Sequence, residues 1–362
     1  MNERKEVIMI AAGGTGGHIF PAVSLARELK KRNEGRRIIF MGTKRGLERK
    51  IIPAEGFELI ELNAGGVKGK GMIDKVSAML KALLSFFWCM GYIARVKPSI
   101  VIGAGSYVSG PVVSAAWLLG LPTMIQEQNL YPGITNRLLS RIARGCAVSF
   151  EDSKRYLHGK VVFTGNPVRE DFTHLKKKER GGKLSVLIFG GSLGARTINR
   201  GMMEALPLIK IHKERLSITH QTGSADFEMV KESYRKEGIE AEVLEFINDM
   251  PKRFESADII ISRAGASTIA EIIAAGKASI LVPLPSAAND HQRKNAEALS
   301  RVSAALSCED SRFSGRYVAE TMRSFLDDPS RIDEMEKHAA SLYSAGAAGK
   351  IADMAERLMV KR

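Results

Sequence analysis

The sequence has 362 residues, 44% of them apolar, which is enough for two ordinary hydrophobic cores and excludes a disordered chain or a mini-protein. Its net charge of +14 is unevenly distributed, because residues 1–165 carry +12 and residues 166–362 carry +2. Such asymmetry predicts an anionic partner for the first half, either a nucleic acid or a lipid surface.

The cysteines and the apolar runs exclude several classes of protein. Cys89, Cys146 and Cys308 are far apart and form no CxxC pair, which argues against disulfides or structural zinc and suits a reducing cytoplasm. There is no Asp-x-Asp pair and no two-histidine ligand spacing, so we expect no catalytic metal and no cofactor. The first apolar run predicts a strand and not a signal peptide, and residues 82–94 are too few for a membrane span, which needs about 20.

Short β-rich runs alternate with helical runs along the chain, a pattern typical of parallel sheets covered by helices on both faces. After the first strand, apolar residues recur at helical spacing behind Pro21, which predicts a helix that opens near this proline. We predict an α/β fold with two Rossmann-like, doubly wound parallel-sheet domains that face a central cleft. The predicted strands are Val7–Ala12, Ile38–Met41, Ile100–Ile102, Thr123–Ile125, Ala147–Phe150, Val161–Phe163, Leu184–Phe189, Ile218–His220, Val243–Phe246, Ile259–Ser262 and Ile280–Val282.

A charged, glycine-containing stretch near residues 165–182 has the composition of a linker. It predicts a first domain over residues 1–165 and a second over residues 166–345. Residues 346–362 continue as a helical run that could pack back on the first domain or lie on the second.

Glycine-rich turns follow the first strand of each half, at residues 13–17 and 190–195. Such turns let a backbone approach a phosphate, and a helix N-terminus adds free N–H groups. The first turn lacks the third glycine of a dinucleotide site, and the second lacks the Lys-Ser/Thr ending of a P-loop. A diphosphate held by backbone and hydroxyl groups is therefore favoured, although simple tight turns are the alternative.

Three polar positions accompany these turns. His18 stands at the entrance of the first helix and could act as a general base, or it could be a structural, hydrogen-bonded histidine. Glu271 follows the 262–268 turn and could accept ribose hydroxyls, or it could be a solvated helix acid. Amide side chains in residues 289–295 suit sugar hydroxyls.

Taken together, the motifs resemble one family, the UDP-N-acetylglucosamine:N-acetylmuramyl-(pentapeptide) pyrophosphoryl-undecaprenol N-acetylglucosamine transferases of peptidoglycan synthesis. The resemblance covers nearly the whole chain and implies a GT-B-type inverting glycosyltransferase. It departs from the family at Gln126, where a histidine is common, and at His291, where some members have glutamine. The matching motifs are Gly13-Gly-Thr-Gly-Gly-His18-Ile-Phe-Pro21, Gly103-Ala-Gly-Ser-Tyr-Val-Ser-Gly-Pro111, Glu127-Gln-Asn129, Gly165-Asn-Pro-Val-Arg169, Gly190-Gly-Ser-Leu-Gly-Ala195, Phe246-Ile-Asn-Asp-Met250, Arg263-Ala-Gly-Ala-Ser-Thr268 with Glu271, and Asp290-His-Gln292 with Asn295-Ala296.

The resemblance implies roles for individual positions. His18 would be the catalytic base, and Gly13, Gly14, Gly105 and Tyr107 would bind the acceptor, undecaprenyl-pyrophosphoryl-MurNAc-pentapeptide (lipid I). UDP-N-acetylglucosamine would be bound by Thr15, Gly16, Gly17, Asn129, Arg169, Ser192, Ile247, Ala266, Ser267, Thr268, Glu271 and Gln292.

A lipid-linked acceptor would explain the basic first half, since basic residues near an anionic membrane contribute about 1 kcal/mol each. Residues 72–93 carry aromatic and aliphatic side chains between basic ones, which indicates a helix that dips into the interface, with an ordinary core helix as the alternative. We therefore expect a peripheral protein on the cytoplasmic face of the plasma (inner) membrane.

Two rival functions follow from the same residues. The first is a UDP-sugar epimerase or a glycosyltransferase with a soluble acceptor, which the basic, aromatic first half disfavours. The second is nucleic-acid binding, suggested by an isoelectric point near 9.7. The excess charge is not interleaved with stacking aromatics in a known motif, so we expect no nucleic-acid partner.

Overall fold

A computed structural model describes residues 6–44, 46–62, 72–176, 181–191 and 193–360, without the side chains of residues 72–82 and 288. The chain forms two compact units. Unit 1 comprises Met1–Arg169 and Ser344–Arg362, and unit 2 comprises Glu170–Tyr343. The functional roles expected for the two domains stay predictions.

Unit 1 is built around a parallel sheet of seven strands, in the order β3-β2-β1-β4-β5-β6-β7. These strands are β1 Val7–Ala11, β2 Arg37–Thr43, β3 Glu58–Leu62, β4 Ile100–Gly103, β5 Thr123–Glu127, β6 Gly145–Val148 and β7 Val161–Phe163. The helices of this unit are α1 Gly16–Arg32, α2 Glu48–Ala54, α3 Met72–Val96, α4 Ser109–Leu118, α5 Ile134–Leu139 and α13 Ala347–Val360.

Unit 2 has a parallel sheet of six strands, in the order β10-β9-β8-β11-β12-β13. They are β8 Leu184–Phe189, β9 Leu216–Gln221, β10 Ala241–Leu244, β11 Ile259–Ser262, β12 Ala278–Leu281 and β13 Leu306–Ser307. Its helices are α6 Arg196–Ile209, α7 Phe227–Glu237, α8 Met250–Ser256, α9 Ala266–Ala275, α10 His291–Ser300, α11 Gly315–Asp327 and α12 Ser330–Ser341.

Apolar residues cover both faces of the unit 1 sheet, as a doubly wound fold requires. Along β1, Ile8 and Ile10 join a core with α1 and α13, whereas Met9 and Ala11 join the core under α3 and α4. The expected class of fold, with doubly wound parallel sheets in two units, is confirmed.

Helix α13 belongs to unit 1 although it follows all of unit 2 in sequence. Its Ile351, Ala352, Met354 and Ala355 enter the same core as Ile8. At its outer edge, Arg32 of α1 donates to Asp353 at 2.6 Å and to Glu356 at 2.8 Å.

The structure corrects several sequence-based bounds. Helix α1 begins at Gly16, so Pro21 lies inside the helix and not in its opening turn. Strand β6 ends at Val148, two residues before the predicted end, and β10 ends at Leu244. Strands β3 and β13 were not predicted, because the glutamates of β3 are three positions apart and break the period-2 alternation of a half-buried strand, and because β13 has only two residues.

Candidate active site

Both sheets have their topological switch point at the pair of strands that bear the main turns. In unit 1, β2 and β3 lie on the β1 side of the neighbouring pair β1 and β4, and β5 to β7 lie on the β4 side. In unit 2 the strand order reverses in the same way between β8 and β11. Ligands of open α/β sheets bind at the carboxyl edge beside such a point. The predicted site residues in turns 13–17, 103–107 and 262–268 therefore lie where each sheet offers a crevice.

The first glycine turn is held by a carboxylate that sequence reasoning missed. Glu48 is fully buried, and its Oε2 accepts from the backbone N–H of Gly14 at 3.0 Å. Its Oε1 accepts from the backbone N–H and the hydroxyl of Thr43, at 2.8 and 2.6 Å. A Cβ on Gly13 would stand 2.8 Å from Glu48 Oε1, so a side chain at this position would displace the carboxylate. The N–H of Gly14 thus fixes the turn and is not free for a ligand.

His18 lies in the first turn of α1 beside the turn that follows β4. Its Nδ1 is 2.9 Å from Oε1 of Gln128, which is fully buried. The Nε2 of Gln128 donates to the carbonyl oxygen of Ala104 at 2.9 Å. Gly105 has φ +95°, and a Cβ there would be 2.4 Å from His18 Nδ1, so this glycine makes room for the imidazole. His18, Gly105 and Gln128 therefore form one cluster.

Other predicted residues of unit 1 lie in the same turns or contact helix α1. Thr15 is exposed just before α1, Gly16 and Gly17 open that helix, and Tyr107 is exposed in the turn after β4. Arg169 places its guanidinium 5.2 Å from the ring centre of Phe20 on α1, a cation–π distance.

Asn129 is held by a second buried carboxylate, Glu127 at the end of β5. The Oε1 of Glu127 accepts from the backbone N–H of Asn129 at 2.9 Å, and its Oε2 accepts from Gly133 N and Asn136 Nδ2. Glu127 therefore sets the course of the loop that carries Asn129.

In unit 2 the second glycine turn is locked to the end of strand β9. Gly194 has φ +77°, and a Cβ there would lie 1.8 Å from the carbonyl oxygen of Thr222. Helix α6 begins at Arg196, directly after the turn, so its N-terminal N–H groups and partial positive charge suit a phosphate. Ser192, predicted at the phosphates, lies outside the described residues.

Gln221, another residue that sequence reasoning missed, connects this turn to Ile247. Its Nε2 donates to the carbonyl oxygen of Gly191 at 2.8 Å, and its Oε1 accepts from the backbone N–H of Ile247 at 3.1 Å. One buried amide thus connects the glycine turn at Gly191 to Ile247, the predicted uracil position.

The remaining predicted residues of unit 2 follow β11 and β12. Ala266, Ser267 and Thr268 form the first turn of α9, and Glu271 is buried one turn later. Gln292, in the first turn of α10, accepts from the backbone N–H of Leu284 at 3.0 Å, which leaves its Nε2 able to donate to a ligand.

The core under the second turn contains a titratable group. His220 is fully buried between Tyr234 and Asn199, and burial lowers its pKa to about 3. It is therefore a neutral structural residue. Within the part of the chain that the structure describes, no group of three His, Cys, Asp or Glu side chains could hold a metal ion.

Comparison with known proteins shows the family. Sequence profiles of the glycosyltransferase family 28 N-terminal and C-terminal domains match residues 8–148 and 185–358. A relative from Myxococcus xanthus, named UDP-N-acetylglucosamine--N-acetylmuramyl-(pentapeptide) pyrophosphoryl-undecaprenol N-acetylglucosamine transferase, is 44% identical over 98% of this chain and 93% of its own length. The chain belongs to this family of transferases.

Further matches agree with the membership. A relative of the same name from Syntrophus aciditrophicus is 43% identical over 96% of this chain and 97% of its own length. The crystal structure of Acinetobacter baumannii MurG has a TM-score of 0.79 and 33% identity, over 98% of this chain and 99% of that one. A UDP-glucosyltransferase from Polygonum tinctorium, with TM-score 0.73 and 13% identity over 99% of both chains, shows the shared GT-B fold alone. The resemblance inferred from the motifs, and the glycosyltransferase class with it, are confirmed.

Proposed function

We propose that this protein transfers N-acetylglucosamine from UDP-N-acetylglucosamine to the 4-hydroxyl of the muramyl sugar of undecaprenyl-pyrophosphoryl-MurNAc-pentapeptide, with inversion at the anomeric carbon. The proposal rests on the 44% sequence identity to a transferase of this name over 98% of the chain. The cluster of His18, Gly105 and Gln128 at the switch point of unit 1 supports it.

Unit 2 binds the donor in this proposal. The diphosphate lies at the 190–195 turn and the N-terminus of α6, where backbone N–H groups stabilise the charge that develops on UDP as it leaves. The uracil lies at the backbone of Ile247, and the ribose hydroxyls donate to Glu271. Gln292 donates to the sugar from Nε2. Ser192, Ala266, Ser267 and Thr268 complete the donor contacts of unit 2 proposed from the family motifs, and Arg169, the last residue of the first segment of unit 1, is proposed as a further donor contact.

Unit 1 binds the acceptor and supplies the base. The acceptor O–H gives its proton to Nε2 of His18 as its oxygen forms a bond to the anomeric carbon. The bond from that carbon to the diphosphate breaks, and the electron pair leaves with UDP. Gly13, Gly14, Gly105 and Tyr107 border the acceptor diphosphate, with the carboxylate of Glu48 keeping the first turn in shape. The family motifs also propose Thr15, Gly16, Gly17 and Asn129 as donor-binding residues.

We propose a peripheral position on the cytoplasmic face of an anionic membrane, and an apolar surface of unit 1 supports the contact with a membrane. Helix α3 contacts α4 and α4 contacts α5, and all three expose large apolar side chains. Leu84, Phe87 and Trp88 of α3 are 69%, 56% and 48% exposed, whereas Cys89 and Ile93 of the same helix are buried. One face of α3 thus serves the core, and the other suits a lipid interface. Within the described residues, the helices are too short or too polar to cross a bilayer.

The experiment is a transfer assay with labelled UDP-N-acetylglucosamine and detergent-solubilised lipid-linked muramyl pentapeptide. We expect a β-linked disaccharide product from the wild type. His18→Ala lowers kcat by roughly 100-fold or more, since general-base catalysis contributes at least that much. His158→Ala, which changes an exposed histidine of unit 1, leaves kcat unchanged. Wild-type turnover by His18→Ala would remove His18 from the role of base.

A further inference from the structure

We infer that Gln128 is a positioning residue that holds His18 as the Nδ1–H tautomer and so leaves the lone pair on Nε2. The inference deepens the function proposed above, because it explains how His18 is ready to accept a proton. It depends on three hydrogen bonds and on the space made by one glycine.

The first step is the orientation of the Gln128 amide. Its Nε2 is 2.9 Å from the carbonyl oxygen of Ala104, and a carbonyl oxygen can only accept. The NH₂ group must therefore face Ala104, so the amide oxygen faces His18. A flipped amide would place its oxygen against the carbonyl oxygen of Ala104, which would leave two acceptors facing each other with no hydrogen between them in a fully buried site.

The second step fixes the proton on the imidazole. The Oε1 of Gln128, 2.9 Å from Nδ1 of His18, has no hydrogen and only accepts. Nδ1 must then carry the hydrogen, and in a neutral imidazole the other nitrogen, Nε2, is unprotonated. Nε2 is the atom that takes the proton of the acceptor hydroxyl in the proposed reaction.

The third step is the rigidity of the arrangement. The backbone N–H of Ala104 donates to the carbonyl oxygen of Ala11 in β1 at 2.8 Å, so the anchor of Gln128 is part of the sheet. The imidazole lies against Gly105, where even a Cβ would come within 2.4 Å of Nδ1. A ring packed this closely and bonded at Nδ1 keeps Nε2 in one direction, as general-base catalysis requires.

A neutral amide orients the imidazole ring without adding a negative charge beside it, unlike a carboxylate. A carboxylate at the same distance would also accept from Nδ1, but its charge would stabilise the imidazolium and make the base available only at higher pH. The chain offers a matched control two residues earlier in β5. Gln126 is equally buried, and neither atom of its amide has a hydrogen-bond partner within the described chain.

The direct test is long-range ¹H–¹⁵N NMR of histidine-labelled protein at about pH 8.5, where a free imidazole is neutral. The His18 signals are assigned by their loss in His18→Asn. We expect wild type and Gln126→Met to show Nδ1–H and an unprotonated Nε2. Gln128→Met should show a substantial Nε2–H population, and its kcat should fall roughly 10- to 100-fold with the KM for the donor unchanged.

Gln128→Glu keeps an acceptor for His18 Nδ1 but loses the donor to the carbonyl oxygen of Ala104, so it is a partial rescue variant. We expect it to retain the Nδ1–H tautomer and to recover part of the rate, with the acidic limb of its kcat/KM profile moved to higher pH. Wild-type protein with Nε2–H, or Gln128→Met with an unchanged tautomer, would overturn the inference. Failure of the proposed base is seen separately, as full turnover by His18→Ala while the NMR result for Gln128 still stands.

Discussion

Replacing Glu48 by glutamine tests whether a buried carboxylate keeps the first glycine turn in shape. Its two oxygens accept from three donors, namely the N–H of Gly14 and the N–H and hydroxyl of Thr43. The least disruptive glutamine keeps its oxygen at Thr43 and points its NH₂ group at Gly14. One partly buried backbone donor then faces another donor.

The expected cost follows from that single loss. Leaving one buried donor unsatisfied costs about 1–3 kcal/mol. Local opening of the turn should therefore become about 5- to 150-fold more frequent. Glu48→Leu removes the acceptor for all three donors and should cost more, about 3 kcal/mol at the least. Glu34→Gln, at an exposed position of unit 1, is the matched control and should change stability by less than about 0.5 kcal/mol.

Hydrogen exchange followed by mass spectrometry on peptides that span residues 9–20 measures this opening. A global unfolding curve would mix the two units and is less informative. In Glu48→Gln we expect protection of the turn to fall and kcat/KM for the lipid acceptor to fall with it, while UDP binding in unit 2 is unchanged. Wild-type protection at Gly14 in this variant would refute the view that Glu48 fixes the turn.

Three further predictions concern other parts of the molecule. Gly194→Ala places a side chain on a backbone with φ +77° and within 1.8 Å of Thr222 O; the backbone strain alone costs roughly 1–3 kcal/mol, so calorimetry should show weakened UDP binding. Trp88→Glu should reduce binding to anionic vesicles about tenfold or more in a sedimentation assay, whereas Ile211→Glu, at an 85% exposed position of unit 2, should not. Burial lowers the pKa of His220 from 6.5 to about 3, so protonation favours the unfolded state and unit 2 should lose stability as pH falls through this range. Hydrogen exchange of β9 should show the free energy of opening falling by at most about 1.4 kcal/mol per pH unit. If the same pH dependence persists in His220→Gln, it does not come from this histidine.

Strands were predictable where they are buried on both faces. The strands β1, β8 and β11 are mostly apolar and rich in isoleucine, valine and leucine, because a parallel strand covered by helices needs apolar residues on both sides. Strand β3 is at the edge of its sheet and only partly buried, so it tolerates glutamates, and these hid its strand character in the sequence. The start of α1 was misplaced because Pro21 resembles a first-turn proline.

The turns of the candidate site were predictable, and the residues that hold them were not. Glycines and His18 stand next to each other in the sequence, so their pattern is local. Glu48 is 34 positions from Gly14, and Gln128 is 110 positions from His18. A glutamate in a helix or a glutamine after a strand carries no sign of its distant partner. Gln128 could have been suspected, since it lies within a matched motif, but its bond to the imidazole required coordinates.

The path of the chain through unit 1 has a consequence for its synthesis. Arg32 and its ion-pair partner Asp353 are 321 positions apart, and the core around Ile8 includes side chains of α13. While a ribosome makes the chain, all of unit 2 emerges before α13 does. Until α13 is made, the apolar face of unit 1 that α13 covers stays exposed to solvent. We therefore expect this face to favour aggregation of the nascent chain and to be a binding site for chaperones.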